Sequence, residues 1–360
     1  MSSNLPVIFE HLLPHLSPAL TPPARERLAR LAGVIPPIPR GIFECHLRDA
    51  STRVDFGLSI ARAEAGFIAQ PFLPAAATAL PAWQRVIDFG AHWADPASRL
   101  GAAIPSLWLE FDLDGVAPPR LAPSLFFMLK RRGLEATEAR EVTEAALREL
   151  LAESHETALR VVRRCFEVAA SFRGHGDVGK IHQVGVMLAR PGSGVRLCVA
   201  ALPPDLIVHY LEAVGWRGRA DLLAALVDWL RDRVDRLDLL DLDIQEGQVQ
   251  PRIGLEVLFD KHPPGNPRES AWLAELVARG ACAPAWRDTV LAWPGYTHLA
   301  PGPQTELRLQ QQLVKRRVSH FKLVHQPPRP LEAKAYLWFD QVEVELRPTL
   351  SAGTGSADES

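Results

Sequence analysis

The sequence is poor in the residue patterns that build metal, disulfide or hydrolytic centres. Its 360 residues include four cysteines, which lie far apart with no C-x-x-C pair. Structural zinc sites and disulfide frameworks need closely spaced cysteines, so the spacing argues against both and favours a reducing cytoplasm. Twelve histidines are present, but neither H-E-x-x-H nor G-x-S-x-G occurs. The common zinc-protease and serine-hydrolase chemistries are therefore not indicated.

A strong net charge and long apolar runs are also missing. The formal charge is -2 at pH 7, which gives no long-range attraction for a polyphosphate, and we expect no nucleic-acid partner. No apolar stretch approaches the roughly 20 residues that cross a bilayer, so we expect no membrane span. Residues 349–360 are small, polar and acidic. We predict that they form a disordered tail behind a single domain over residues 1–348.

Ten short runs with period-2 alternation are what the sequence does contain, and they come in five pairs that predict five β-hairpins. The pairs are Ile42–Arg48 with Val54–Ile60, Ser106–Asp114 with Ser124–Lys130, His182–Arg190 with Val195–Leu202, Leu239–Gln245 with Gln250–Phe259, and His320–Gln326 with Glu332–Phe339. Turn residues such as Glu246-Gly247 join the members of a pair.

Segments with helical periodicity separate the pairs. They are Ala82–Trp93, Leu134–Phe172, Leu206–Val214, Arg219–Leu237, Ser270–Arg279 and Gln304–Arg317. The predicted order is a helix, then a strand pair and helix repeated four times, then a last strand pair. This is a repeat of architecture without a repeat of sequence.

Nine of the ten predicted strands carry apolar residues on one face and polar or ionisable residues on the other. Leu239–Gln245, for example, sets Leu240 and Leu242 against Asp241 and Asp243. Amphipathic helices can cover the apolar faces, whereas the ionisable faces must meet water or a ligand. An open sheet with helices on one side would satisfy this pattern, but ten twisted strands tend to curl, and closure removes both edges. We therefore predict an α/β (α+β) fold: a ten-stranded antiparallel barrel with a polar lumen surrounded by helices.

This predicted architecture, over about residues 20–345, resembles the ABBA prenyltransferases. Members that act on indoles or peptides carry Lys-x-Tyr pairs on barrel strands, where they hold a diphosphate, and Lys334-Ala335-Tyr336 is similar. Some members use a Glu on an early strand as the base toward the acceptor; Glu44 is similar in position, with Glu110 as a rival. The sequence departs from the pattern in having one Lys-x-Tyr pair, three tyrosines in all and many carboxylates on the lumen face.

The resemblance implies an enzyme that moves an isoprenyl group from an allylic diphosphate to an aromatic or peptide acceptor, in natural-product biosynthesis. Such a reaction needs cations for the diphosphate, aromatic faces for a carbocation and a base. The candidate diphosphate ligands are Arg48, Arg196, Arg252, Lys322, Lys334 and Tyr336. Trp108 and Trp338, with Tyr336, are the candidate shield, and Glu44 or Glu110 is the candidate base.

Two other interpretations of the lumen residues stay open at this stage. The Asp-Leu-Asp stretches contribute Asp112, Asp241 and Asp243, whose hard oxygens could bind Mg²⁺, although ordinary strand ends look the same. No other cofactor is expected. Alternatively, the lumen charges pair with one another. The barrel would then bind a small molecule or peptide without catalysis, or support a different chemistry.

Overall fold

The computed structural model describes residues 5–35, 38–48, 53–69, 80–113, 122–130, 133–151, 155–172, 179–190, 192, 194–260, 266–299 and 310–345. The strands are β1 (Arg40–His46), β2 (Val54–Ala61), β3 (Ser106–Phe111), β4 (Ser124–Met128), β5 (Lys180–Val186), β6 (Val195–Ala200), β7 (Arg236–Gln245), β8 (Gln248–Leu258), β9 (Gly295–His298), β10 (Gln310–His325) and β11 (Glu332–Glu345). The helices are α1 (Leu5–Leu16), α2 (Pro22–Ala32), α3 (Gly66–Ala69), α4 (Pro81–Ala94), α5 (Arg99–Ala103), α6 (Ala136–Leu150), α7 (His155–Ser171), α8 (Pro204–Ala213), α9 (Ala220–Arg231), α10 (Pro267–Ala278) and α11 (Pro284–Ala292), with a 3-10 turn at Arg62–Glu64.

Ten of these strands close into an antiparallel barrel. Strands β1 to β8 pair in chain order, β8 pairs with β10, β10 with β11, and β11 returns to β1. The predicted fold class and all five predicted hairpins are therefore confirmed. The eleventh strand, β9, pairs with Leu313–Arg316 in the first half of β10. It extends the β10–β11 hairpin past the barrel wall.

One predicted helix is wrong. Within Gln304–Arg317, the described residues 310–317 form the first half of β10, paired with β11 and β9. The segment contains Gln, Lys and Arg, which favour helices on their own, but strand pairing on both sides overrides that weak preference. Residues 304–309 lie outside the described ranges. The predicted Arg219–Leu237 helix is also too long, because α9 ends at Arg231 and β7 begins at Arg236.

Apolar side chains on the outer face of the barrel pack against the helices. Phe9 of α1 contacts Phe43 and Phe56 with ring centroids 5.3 Å apart in both pairs. Trp272 of α10 lies 5.0 Å from Phe321 of β10. The hydrophobic core therefore lies between the barrel and the helices. Removing one of these buried rings typically costs roughly 3–5 kcal/mol of unfolding free energy. None of the described helices is both long and apolar enough to cross a bilayer.

The inner face of the barrel has two chemically different ends. We call the end where a turn joins the two strands of each hairpin the hairpin end, and the end where helical segments join one hairpin to the next the connection end.

The inner face also carries glycine where a neighbouring side chain needs the space. At Gly185 a Cβ would lie 2.3 Å from the ring of Phe126, which covers the glycine. The sequence pattern therefore shapes the lumen as well as the core.

Candidate active site

The middle of the lumen holds a buried carboxylate that two donors of one neighbouring strand contact. Glu44 on β1 lies opposite Tyr336 on β11. The Lys334 ammonium donates to Glu44 Oε1, and the Tyr336 hydroxyl donates to Glu44 Oε2. Burial alone would raise the pKa of Glu44, but Lys334, His46 and Lys322 outweigh it and hold this pKa well below its usual range. Glu44 is therefore an ionised hydrogen-bond acceptor and a weak base.

A second buried lysine lies between two carboxylates. Lys322 Nζ on β10 is 2.5 Å from Asp241 Oδ2 and 2.9 Å from Glu256 Oε1. Burial raises the pKa of Glu256 to about 7, because the opposing effect of Lys322 is smaller and Asp241 adds to the rise. The same ammonium lies 5.1 Å from the centre of the Tyr336 ring. Lys322 therefore links the β7–β8 wall to the Glu44 group.

His320 lies against the ring of Tyr336 in the middle of the lumen. Its ring stacks on Tyr336 with centroids 4.1 Å apart and planes 18° from parallel. Burial and the nearby Lys322 lower the pKa of His320 to about 3, so the imidazole is neutral at physiological pH. Its Nε2 lies 3.5 Å from Glu256 Oε2. The stack keeps the phenol ring in place while its hydroxyl donates to Glu44.

Toward the hairpin end the lumen is lined by guanidinium–carboxylate pairs. Arg196 on β6 donates to Asp243 from Nε at 2.7 Å and from Nη2 at 3.2 Å, and Arg252 on β8 donates to the same carboxylate at 3.1 Å. Arg190, which follows β5, donates twice to Asp112, both times at 2.8 Å. Bidentate geometry of this kind matches carboxylates and phosphates equally well. These arginines are thus pre-arranged for an anion but already hold one.

His46, at the end of β1, joins two carboxylates from the strands on either side. Its Nε2 lies 3.1 Å from Asp55 Oδ2, and its Nδ1 lies 2.6 Å from Glu332 Oε1. Glu44 Oε1 is 3.6 Å from the same Nε2. Burial lowers the pKa of His46, but the hydrogen bonds to Asp55 and Glu332 outweigh it, and the pKa rises above its usual value. Arg53 Nε also donates to Asp55, at 3.1 Å.

Glu110 on β3 differs from these carboxylates because it lies farther from its cation: Arg190 Nη2 is 3.7 Å from Glu110 Oε1. Burial, with repulsion from Glu44 and Asp112, raises the pKa of Glu110 to about 7. A carboxyl group with this pKa exchanges a proton readily at neutral pH. Of the two predicted bases, Glu110 is therefore the better matched in pKa.

Two tryptophans dominate the connection end. The rings of Trp108 on β3 and Trp338 on β11 meet edge to face, with centroids 5.5 Å apart. Gly57 on β2 leaves space beside the Trp108 ring: a Cβ there would lie 2.8 Å from Ile42 and 3.5 Å from that ring. The Arg317 guanidinium lies 5.0 Å from the centre of the Trp338 ring, as a cation–π contact. This end therefore offers two aromatic faces.

The structure brings most of the sequence-predicted residues into one lumen. They are Glu44, Glu110, Arg196, Arg252, Lys322, Lys334, Tyr336, Trp108 and Trp338. Arg48 is not among them, because it lies exposed after the end of β1. Asp112, Asp241 and Asp243 also face the lumen, but each contacts an arginine or lysine. Among the described residues, the histidine and carboxylates whose ligand atoms all lie within 4.8 Å of one another are instead Glu44, His46 and Asp55.

Several lumen residues escaped the sequence prediction. His46 and Asp55 share the strand face of Glu44, so the alternation that identified Glu44 could have identified them as well. The same alternation places His320 on the polar face of its strand, but no motif or spacing in the sequence distinguishes it from a structural histidine. Arg317 was hidden by the wrong helix assignment. The predicted strand His182–Arg190 extends to Arg190, but β5 ends at Val186, so strand alternation does not describe where the Arg190 side chain points.

Known structures provide the comparison for this geometry. No protein-family model matches the chain, and a search among curated proteins returned no match. The 5-dimethylallyltryptophan synthase from Streptomyces coelicolor aligns with a TM-score of 0.56 at 13% identity, covering 94% of this chain and 98% of that one. The prenyltransferase PriB in its apo form aligns with a TM-score of 0.54 at 14% identity, covering 93% of this chain and 96% of that one. AnaPT from Neosartorya fischeri aligns with a TM-score of 0.50 at 13% identity, covering 83% of this chain and 77% of that one.

Likeness at such low identity concerns architecture, and here it extends over nearly the whole chain. The closed strand order and the outer helices give the same answer independently. The chain therefore has the fold of the ABBA prenyltransferases.

Proposed function

We propose that the protein transfers an isoprenyl group from an allylic diphosphate to an aromatic or peptide acceptor held in the barrel, as a step in natural-product biosynthesis. The observation that carries the proposal is the placement of Lys322, Lys334 and Tyr336 beside the Trp108–Trp338 pair in one closed lumen. The fold adds support. Solved structures with this fold include the 5-dimethylallyl tryptophan synthase in complex with DMASPP and Trp, and PriB with L-tryptophan and dimethylallyl thiolodiphosphate.

In this proposal the diphosphate binds toward the ionic side of the lumen. Lys334 and Lys322 supply two ammonium groups and Tyr336 a neutral donor, while Arg196 and Arg252 offer planar guanidinium groups nearer the hairpin end. The phosphate oxygens take the hydrogen bonds that Glu44 and Asp243 now accept. These donors stabilise the charge that develops on the leaving diphosphate.

The chemical step then uses the aromatic end. The allylic C–O bond breaks, and diphosphate leaves with the electron pair. The allylic carbon forms a bond to a nucleophilic atom of the acceptor, and the acceptor loses a proton to Glu110. Trp108 and Trp338 face the cationic fragment, because an aromatic face stabilises a cation without capturing it. Glu110 accepts the proton because its pKa of about 7 suits a base at neutral pH.

A second candidate function rests on the charge pairing itself. Lys322, Lys334, Arg196 and Arg252 each contact a carboxylate in this structure. A barrel that binds a neutral or zwitterionic small molecule or peptide without catalysis would need no free cation. The two functions differ in one property, which is whether a diphosphate displaces those carboxylates.

Titration with unreactive analogues tests the proposal directly. Dimethylallyl and geranyl thiolodiphosphate are titrated calorimetrically into the protein, with and without Mg²⁺. Saturable binding that Lys334→Gln weakens supports the diphosphate site, and binding only with Mg²⁺ supports the proposed metal role of Asp112, Asp241 and Asp243. If neither analogue binds under either condition, the prenyl transfer proposal fails and the binding barrel is favoured.

A further inference from the structure

The group at the end of β1 has the organisation of a metal-binding site. His46 Nε2, Glu44 Oε1 and Asp55 Oδ2 converge, with Nε2 at 3.6 Å from the glutamate oxygen and 3.1 Å from the aspartate oxygen. All three side chains face the lumen, and the two carboxylates are buried. Adjacent strands β1 and β2 supply them, with Glu44 directly opposite Asp55 in the register. A rigid sheet therefore fixes the spacing of the three ligand atoms.

The other polar atom of each side chain is held from outside this group. Glu332 Oε1 lies 2.6 Å from His46 Nδ1 and accepts the hydrogen on that nitrogen, which orients the ring with Nε2 toward the two carboxylates. Asp55 Oδ1 accepts a hydrogen bond from the Leu113 backbone N–H at 2.8 Å. The Tyr336 hydroxyl holds Glu44 Oε2. Outer contacts of this kind orient the ligands of metal sites, and the second nitrogen of a metal-binding histidine usually donates to a carboxylate, a backbone carbonyl or water.

We propose that His46 Nε2, Glu44 Oε1 and Asp55 Oδ2 bind a divalent transition-metal ion. One imidazole and two carboxylates suit Zn²⁺, Mn²⁺ or Co²⁺, and they leave coordination positions open toward the lumen. The site is separate from the Asp112, Asp241 and Asp243 set considered for Mg²⁺. It stands without the proposed function, because its test measures binding of the ion alone.

Two cations compete with the ion. Lys334 contacts Glu44 Oε1, and Arg53 Nε contacts Asp55 Oδ2. The ion would share these oxygens with them, as carboxylates have several lone-pair positions. The ion brings two positive charges to a group that the Lys334 ammonium already contacts. Removing Lys334 should therefore strengthen metal binding, whereas removing the outer carboxylate Glu332 should weaken it.

The experiment uses untagged, chelator-treated protein and Co²⁺ alone. Visible absorption and equilibrium dialysis should show one Co²⁺ bound per chain. His46→Gln and Asp55→Asn should abolish the spectrum, Glu332→Gln should weaken binding by about tenfold or more, and Lys334→Gln should tighten it. His325→Gln is the matched control, since His325 is a buried histidine at the end of β10 that points away from the lumen.

Several results would overturn the metal site. Absence of saturable Co²⁺ binding is one, and binding that persists unchanged in folded His46→Gln protein is another. Loss of binding in His325→Gln would place the ion elsewhere. Circular dichroism checks that each variant is folded. If His46→Gln does not fold, the opposite responses expected of Glu332→Gln and Lys334→Gln still decide, because a merely structural role for these residues would not strengthen binding in either.

Discussion

The two ends of the lumen differ in how their side chains accommodate charge. At the connection end, Trp108 and Trp338 present aromatic faces, and the Arg317 guanidinium lies over the ring of Trp338. At the hairpin end, Arg196 and Arg252 share Asp243. An aromatic face attracts a cation at little desolvation cost, whereas buried ions need partners that satisfy them before any ligand arrives. The barrel wall is continuous, so this difference comes from side chains alone.

The comparison gives the proposed reaction a direction along the barrel. A prenyl diphosphate is itself divided, with an apolar chain at one end and a polyanion at the other. Its chain would match the aromatic end and its diphosphate the ionic end, with the breaking C–O bond in the central layer of Glu44, Tyr336 and Glu110. Substitutions in each region should therefore separate catalysis, stability and diphosphate affinity.

Glu110→Gln should have the largest effect, in the central layer where the two ends meet. General-base catalysis contributes about 10²–10⁴-fold, so turnover with a competent acceptor should fall by about that factor. The wild-type rate should rise with pH through about 7, where the Glu110 carboxyl loses its proton. A pH–rate profile with thermal melting as the control measures both. A flat wild-type profile would remove Glu110 from the mechanism.

The same substitution should change stability in a predictable direction. The pKa of Glu110 is higher in the folded protein, about 7, than its ordinary value of 4.5, so folding favours the protonated form. Its contribution to stability is present below the ordinary pKa and is lost as pH rises through about 7. Glutamine cannot ionise, so the variant should melt at a higher temperature than wild type well above pH 7. Near pH 4 the two should melt alike.

Lys334→Ala tests how far the ionic end depends on its pairing. Removing one partner of a buried ion pair typically costs about 3–5 kcal/mol, because the other charge stays behind uncompensated. Glu44 would be that charge, since Lys334 is its closest cation. Chemical denaturation should show the loss, and adding Glu44→Gln to Lys334→Ala should recover part of it. A Lys334→Ala protein as stable as wild type would mean that the pair contributes little.

Lumen composition was predictable from the sequence, but its internal pairing was not. Alternation alone placed Glu44, Lys322 and Lys334 on one face, because side chains of a strand alternate between its two sides. Which carboxylate meets which cation depends on the stagger between strands. Lys322 on β10 contacts Asp241 on β7, although β8 lies between these strands. Gly254 of β8 has no side chain and leaves the space for this contact. No local pattern encodes such a contact.

The fold shows the same division between local and distant information. Hairpin β7–β8 was predictable because Glu246-Gly247 reads as a two-residue turn between two alternating runs. In the structure both residues adopt the positive φ that such a turn requires. The first half of β10 was not, since its residues favour a helix and only pairing with β9 and β11 makes it a strand. Arg317 was lost from the predicted site for that reason.

Trp338→Leu should sharpen the contrast from the aromatic end. A desolvated cation–π contact contributes about 2 kcal/mol, so turnover should fall by about 30-fold if the ring faces the allylic cation. Affinity for dimethylallyl thiolodiphosphate should change little, because the diphosphate binds at the other end. Calorimetry and turnover on one preparation separate these effects. Equal losses in both would contradict the division of the lumen.

Arg252→Ala should give the smallest change in stability and the cleanest reading of diphosphate affinity. Arg252 keeps 24% of its side-chain surface exposed and shares Asp243 with Arg196, which remains to neutralise that carboxylate. Exposed or partly exposed pairs contribute about 1 kcal/mol or less, so the melting temperature should move by only a few degrees at most. If the guanidinium binds a phosphate oxygen, thiolodiphosphate affinity should nevertheless fall by about tenfold, the effect of one charge-assisted hydrogen bond.

Arg236→Ala is the matched control, since Arg236 pairs with Asp238 at the connection end of β7, where it is exposed. An Arg252→Ala protein with unchanged affinity would restrict the diphosphate to the central lysines and leave the hairpin-end arginines a structural role.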